Sequence, residues 1–332
     1  VKPGPNPLAA RLAAQIEREG PILFSAFMEA ALYDPQHGYY SAARRAADEP
    51  TGIAGDYFTA AQLQPVFGRL MRAAALALRD ELALPARCAL VDWGAGRALM
   101  AEAFPDFEYV PVEVHGPRPA PLEGIVLANE LFDALPVDVV RGGRRGLRLL
   151  RVGWKDGRFA WVEAEEPAGE WKEYALAMAR PFADLDEWEI ELPVRMEGAL
   201  EEIGACLRRG ALLVIDYGYA DREILRFPRG TLMSYRRHRA AEDVLADPGN
   251  RDITAHVPFT RLAAWAGRKG WKAAPLESLA SFLLRAGEPD RFASALEARS
   301  GEEAERLRLQ LKTLLFGMGE TSFRCLRLEK GG

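Results

Sequence analysis

The sequence predicts an α/β protein built on a doubly wound, Rossmann-like, largely parallel sheet. From residue 86 onward short apolar runs alternate with helical ones, and the first of those runs ends in a glycine pair. Later runs end in polar residues where a buried strand would reach the surface. At 332 residues the chain has room for one elaborated domain or two lobes.

Residues 8–18 and 24–34 have helical apolar spacing and are separated by Gly20 and Pro21, which predicts an N-terminal helical segment. From Tyr39 to Thr59 periodicity is lost and a long loop is expected, after which residues 62–82 resume as a helix. This part is taken to span 1–85 and to cover the site, with a sheet domain over 86–332. In that domain CALVDW (88–93), EYVPVEV (108–114) and GIVLAN (124–129) read as buried strands, and ALMAEAF (98–104) reads as the helix after the glycine pair. Residues 137–165 hold β-like runs with Gly-Gly and Asp-Gly turns, which predicts an inserted antiparallel ribbon. ALLVIDYG (211–218) reads as a later strand, 219–310 as a mainly helical insertion on the substrate side, and SFRCLRLE (322–329) as a closing strand.

An apolar fraction of 49% and a charged fraction of 27% exclude a largely disordered chain. The net charge of -5 argues against general nucleic-acid binding. Arg236, Arg237, His238 and Arg239 could hold an acidic partner surface, although a charge run is more often a solvated face. The 3 cysteines, odd in number and widely spaced, support neither a disulfide framework nor a metal cluster, so no metal is expected and a reducing compartment is. No apolar run is long enough for a membrane span, and Glu17 and Glu19 stand where a secretory leader would be apolar. A cytoplasmic protein without membrane span is the resulting expectation. Self-association through the ribbon stays open.

The glycine pair is the first chemical feature. Asp92, Gly94 and Gly96 form a D-x-G-x-G turn at the carboxyl end of a parallel strand, where backbone approaches a ligand. Glu113, at the end of the next strand, stands at the spacing of a ribose ligand. A dinucleotide turn would place a third glycine at 99, where Leu99 stands, so a nucleoside cofactor such as S-adenosylmethionine fits better and a nicotinamide oxidoreductase fits worse. Two glycines at a strand end are also a common structural turn.

GIVLAN runs straight into Glu130 and Asp133, with Asn129 as its last residue, so these polar groups would face the crevice beside the glycine turn. At spacing i and i+3 the two acids share one face of a short helix and could grip a cation from one side. They could equally cap the following turn by accepting backbone N–H groups. Asp216 and Tyr217 end the 211–218 strand and are candidates for substrate contact, against the reading of Asp216 as a buried acid satisfied by backbone donors. His256 is a candidate general base, and a lone histidine is more often structural.

LANELFDALPV, ALLVIDYGY, GTLMSYRRHR and DPGNRDITAHVPFTRL, together with FMEAALYDPQHGYY and GDYFTAAQLQPVFG, resemble the MidA-like family of S-adenosylmethionine-dependent methyltransferases. The similarity covers nearly the whole chain in the family's order. That family includes a protein arginine methyltransferase of complex I assembly. The resemblance implies S-adenosylmethionine as cofactor, a protein substrate or assembly partner, and an acceptor-side role for Glu130 and Asp133. It also implies cofactor contacts from Gly55, Asp56 and Thr59.

The chain departs from the family at Ala60, Ala61 and Gln62, and at Ala98 and Leu99. Residues 114–128, with prolines at 117, 119 and 121, are too few to hold a crossover helix and a further strand. A shortened sheet edge with a reduced adenine wall is therefore expected. An arginine methyltransferase and a non-catalytic binding module that serves as an assembly factor both accommodate this, and the intact acidic motif favours the enzyme.

Overall fold

The computed structural model describes residues 6–41, 63–113, 116–144, 146–236, 239–317 and 323–331. In chain order the helices are α1 (Pro7–Glu19), α2 (Phe24–Tyr33), α3 (Val66–Glu81), α4 (Gly169–Ala179), α5 (Met196–Cys206), α6 (Phe259–Arg268), α7 (Leu279–Gly287) and α8 (Gly301–Lys312). The strands that matter below are β1 (Ile22–Leu23), β2 (Ala89–Trp93), β3 (Glu108–Val112), β4 (Leu122–Asn129), β5 (Asp138–Gly143), β6 (Arg148–Lys155), β7 (Arg158–Glu163), β8 (Glu187–Leu192) and β9 (Leu207–Tyr219). They are followed by β10 (Met233–Arg236), β11 (Arg239–Ala241), β12 (Asp252–Thr254), β13 (Val257–Pro258), β14 (Lys272–Ala273), β15 (Glu277–Ser278) and β16 (Phe323–Lys330).

These elements fall into two compact units, and the division corrects the expected boundary at residue 85. Val1–Phe58, Ala134–Met196 and Ala220–His256 make the first unit; Thr59–Asp133, Glu197–Tyr219 and Val257–Gly332 make the second. The reason is packing. The buried face of α3, with Val66, Phe67, Leu70, Met71, Ala74 and Leu78, joins the apolar cluster of the large sheet, so this helix belongs with the sheet domain.

The first unit carries more than the expected ribbon. Its five-stranded sheet runs β1-β6-β5-β8, with β7 paired to β6. Asp156 and Gly157, both at positive φ, close the β6–β7 hairpin, as an Asp-Gly pair does in a two-residue turn. Phe24 and Phe27 of α2 pack their rings on Trp161 at 4.9 Å and Phe159 at 5.2 Å. A separate small sheet, β11-β10-β12, completes the unit, so the first part of the 219–310 insertion is β rather than helical.

The second unit has the doubly wound order β14-β16-β9-β4-β2-β3. β2, β3, β4 and β9 are mutually parallel where they pair, and β16 closes the sheet antiparallel to β9. The chain leaves β2 toward β3 on one side and returns as β4 on the other. The switch point therefore lies at the carboxyl ends of β2 and β4, where open α/β sheets form their ligand crevice. Among the described residues no strand lies beyond β3 on that side of the sheet, in keeping with the shortened edge.

One expected element is absent. Residues 94–104 form turns and a single 3₁₀ turn at Ala101–Ala103 in place of an α-helix. Gly94, Gly96 and Ala98 all take positive φ and Pro105 follows closely, leaving too few consecutive helical residues to overcome nucleation. No helix among the described residues is long and apolar enough to cross a membrane.

Candidate functional site

The site is built from the two turns at the switch point of the second unit. After β2, Gly94 takes φ 83° and Gly96 φ 57°, and both are exposed. The Gly94 and Ala95 amides both donate to Val112 O, at 2.7 and 3.3 Å, which ties the turn to the end of β3. A Cβ on Gly96 would meet nothing within 4 Å, so its backbone is open to approach. A Cβ on Gly94 would meet Leu131 Cδ1 at 2.9 Å, which places the turn after β2 against the turn after β4.

The second turn begins at Asn129, paired with Ile215 of β9. The Glu130 amide still donates to Ile215 O at 2.8 Å, but its φ is 51°, a left-handed conformation that costs a residue with a Cβ about 1–2 kcal/mol. Strain of this kind gathers at functional sites. Asn129 Nδ2 donates to Glu130 Oε1 at 3.3 Å, and Asn129 Oδ1 is a buried acceptor with no partner among the described residues. Asp133 is 7% exposed.

Asp216 is corrected. As a substrate contact it would have to be reachable, and it is fully enclosed. Its Oδ2 accepts the amides of Leu131 at 3.1 Å, Phe132 at 2.8 Å and Asp133 at 3.2 Å, and Oδ1 accepts the Tyr217 amide at 2.8 Å. Burial and the charge of Glu130 push its pKa up, against the pull of the backbone donors. Tyr217 is half-buried, with its ring edge-on to Phe323 at 4.3 Å.

Asp92 is likewise enclosed, 5% exposed, and the Tyr109 hydroxyl of β3 donates to it. Burial raises its pKa to about 6, Tyr109 opposes the rise and the charge of Glu113 adds to it. The unfolded carboxyl titrates near 3.8, so between about 4 and 6 the native state binds more protons and stability falls as pH rises. The full effect is about 3 kcal/mol. His256 acts in the opposite sense. Burial, helped by Arg226, lowers its pKa to about 4, so its contribution is lost as pH falls from about 6.5 toward 4. Denaturant titrations of wild type and Asp92→Asn between pH 4 and 7 should therefore diverge, with the variant gaining stability relative to wild type as pH rises. Parallel curves would remove the buried acid from the account.

Sequence reasoning missed Tyr109 and Arg118. Arg118 donates to Glu113 O at 2.8 Å and Gly116 O at 3.1 Å, pairs with Glu202 of α5 at 2.9 Å, and lies 5.1 Å from the Trp93 ring. It pins the short return segment from β3 to β4. Its only signal was an arginine alone in a proline-rich stretch.

His256 belongs to the first unit. Its amide donates to Thr231 Oγ1 at 2.9 Å, and its ring is edge-on to Phe227 at 5.0 Å. Fully buried Glu191 accepts the Thr231 and Leu232 amides at 2.5 and 3.1 Å, and burial raises its pKa. Arg236 pairs with Asp247 at 2.7 Å, which commits one member of the charge run. Gly55, Asp56, Thr59, Arg237 and His238 lie outside the described residues. Among the described residues no group of three or more His, Cys, Asp or Glu side chains could hold a metal ion.

An exposed glycine turn facing a polar, strained turn across the switch point of a doubly wound sheet is the arrangement of a nucleoside-cofactor enzyme. The comparisons specify which. A family model described as putative S-adenosyl-L-methionine-dependent methyltransferase matches residues 106–276. The chain belongs to that family. It is 24% identical to the human protein arginine methyltransferase NDUFAF7, mitochondrial, over 92% of this chain and 78% of that protein. The Xenopus laevis protein of the same name is 22% identical over 79% of this chain and 70% of its own. A likely methyl transferase from Burkholderia thailandensis, solved with S-adenosyl-homocysteine bound, superposes with a TM-score of 0.82 at 27% identity, covering 99% of this chain and 95% of that one.

The names of these relatives place those proteins in the mitochondrion, which contradicts the cytoplasmic expectation. An odd cysteine count indicates a reducing environment and does not distinguish one reducing compartment from another. S-adenosyl-L-methionine is the cofactor of the family, and the residues here fit it. Gly96 leaves its backbone open, and Asn129 Oδ1 is a buried acceptor awaiting a donor.

Proposed function

We propose that the chain transfers a methyl group from S-adenosyl-L-methionine to an arginine of a protein partner, with Glu130 as the acceptor-side carboxylate. The family resemblance makes complex I assembly the setting. The observation that carries the reading is the placement of strained Glu130 directly after β4, in a turn that touches the glycine turn through Leu131 and Gly94. When bound, the cofactor supplies an electrophilic methyl carbon. The chain must align a nitrogen lone pair with it.

A guanidinium is protonated at any ordinary pH and has no free lone pair. Glu130 would orient it by charge and accept the proton shed on attack. Asn129, bonded to Glu130, would fix the rotamer of that carboxylate. The exposed backbone of Gly94 and Gly96 would receive the cofactor, and Glu113, at the end of β3, its ribose hydroxyls.

The test is calorimetric titration with S-adenosyl-homocysteine, followed by transfer of labelled methyl into protein-bound arginine. Micromolar affinity and label in methylarginine support the enzyme. No binding up to millimolar ligand by folded protein would leave the binding module instead. Glu113→Ala is expected to weaken S-adenosyl-homocysteine about tenfold through lost hydrogen bonds to a charged acceptor, with little change in thermal stability. An unchanged dissociation constant would remove Glu113 from the cofactor side.

A further inference from the structure

The Leu131, Phe132 and Asp133 amides converge on a single oxygen, Oδ2 of Asp216. Successive N–H groups that point to one acceptor form an anion-binding nest, which requires a left-handed residue at or beside the turn. Glu130 supplies that residue, at φ 51°. The nest is therefore filled from within the chain, by the side chain that follows Ile215, the β9 partner of Asn129. The Glu130 amide bonds to Ile215 O and the next three amides bond to Asp216, so the ladder between β4 and β9 hands over from backbone to side chain at Glu130.

We propose that Asp216 is the positioning residue of this site: one oxygen of its carboxyl group clamps three successive amides and thereby holds Glu130 in the left-handed conformation that aims its side chain. The proposal gives Asp216 a task that neither substrate contact nor catalysis describes. It rests on the acceptor-side reading of Glu130 only for what that aim accomplishes. Asparagine tests the geometry well, because its carbonyl oxygen can still accept the three amides while its NH₂ turns a donor toward the Tyr217 amide.

Amide exchange and the Glu130 Cα chemical shift, read by NMR on the full chain, decide the matter. In the wild type the three amides should be protected although they lie outside any helix or strand, and Glu130 should show a left-handed shift. Asp216→Ala should lower the protection of those three amides by about tenfold or more and move the Glu130 shift to the right-handed or extended range. Val126 and Leu213 in the adjoining strands should keep their protection. Asp216→Asn should retain both signals at residues 130–133 and lose protection at Tyr217. Unprotected amides in the wild type, or a left-handed Glu130 in folded Asp216→Ala, would overturn the proposal. Unfolding of both variants would make Asp216 a determinant of the whole fold and would overturn it too. These readouts need no methyl acceptor, so they stand apart from the fate of the proposed function: if Glu130→Gln transferred methyl groups normally while the amides behaved as described, the function would fail and the clamp would remain.

Discussion

Glu130→Gln is expected to lower methyl transfer by about 10²–10⁴-fold while S-adenosyl-homocysteine affinity stays within a few-fold. Glutamine keeps the size and the hydrogen-bonding reach of the side chain. It loses the charge that orients a guanidinium and the basicity that takes its proton. Glu130→Gly sharpens the test. Glycine adopts φ 51° without steric cost, so this variant should be equally inactive and more stable by about 1 kcal/mol. A residue kept for structure would behave in the opposite way, since removing a cap destabilises. Parallel measurement of denaturation midpoint and labelled methyl incorporation decides. Loss of stability in Glu130→Gly together with retained transfer in Glu130→Gln would return Glu130 to the capping role.

The largest effect on stability is expected at Gly210. It pairs with Gly124 across β9 and β4, has φ 142°, and a Cβ there would lie 1.8 Å from Gly124 O. Gly124 is itself confined, because its own Cβ would lie 2.2 Å from Ala89 O in β2. The obstacle in both cases is backbone in the centre of the sheet, which cannot swing aside as a side-chain tip can. Gly210→Ala should cost about 3 kcal/mol or more, the sum of overpacking and a disfavoured φ. Gly267→Ala in α6 is the control. No atom lies within 4 Å of its added Cβ, and alanine there should stabilise by roughly 0.5–1 kcal/mol. Urea midpoints of the two variants should move in opposite directions. A neutral Gly210→Ala would mean that the central strands can part without loss.

The predicted effects divide between what periodicity reveals and what it hides. α1, α2 and α3 were legible because their apolar residues recur at helical spacing, and β2, β4 and β9 because fully buried strands are continuous apolar runs. The shortened edge was legible by counting alone, since residues 114–128 cannot hold another helix and strand. ALMAEAF misled because its composition favours a helix, whereas Gly94, Gly96 and Ala98 take positive φ in a turn whose first two amides dock on Val112 O. The division into two units was hidden for a related reason: each is assembled from three stretches far apart in sequence, and composition along the chain records no such gathering.

At the site, the residue types and their positions at strand ends came from the sequence, because a polar residue that closes a buried apolar run has few other reasons to be there. Their states came from the tertiary structure. Asp216 and Glu130 are both acids at strand ends, yet one is sealed behind β4 with four backbone donors and the other stands at a strained turn. Strand register decides between them. The pairing of Asn129 with Ile215 places Asp216 one residue further on, within reach of three amides that belong to a turn 83 to 85 positions away in the chain. Burial, left-handed strain and proton affinity arise from that long-range neighbourhood. A sequence names its acids, and only the packing of distant strands seals one of them and strains the other.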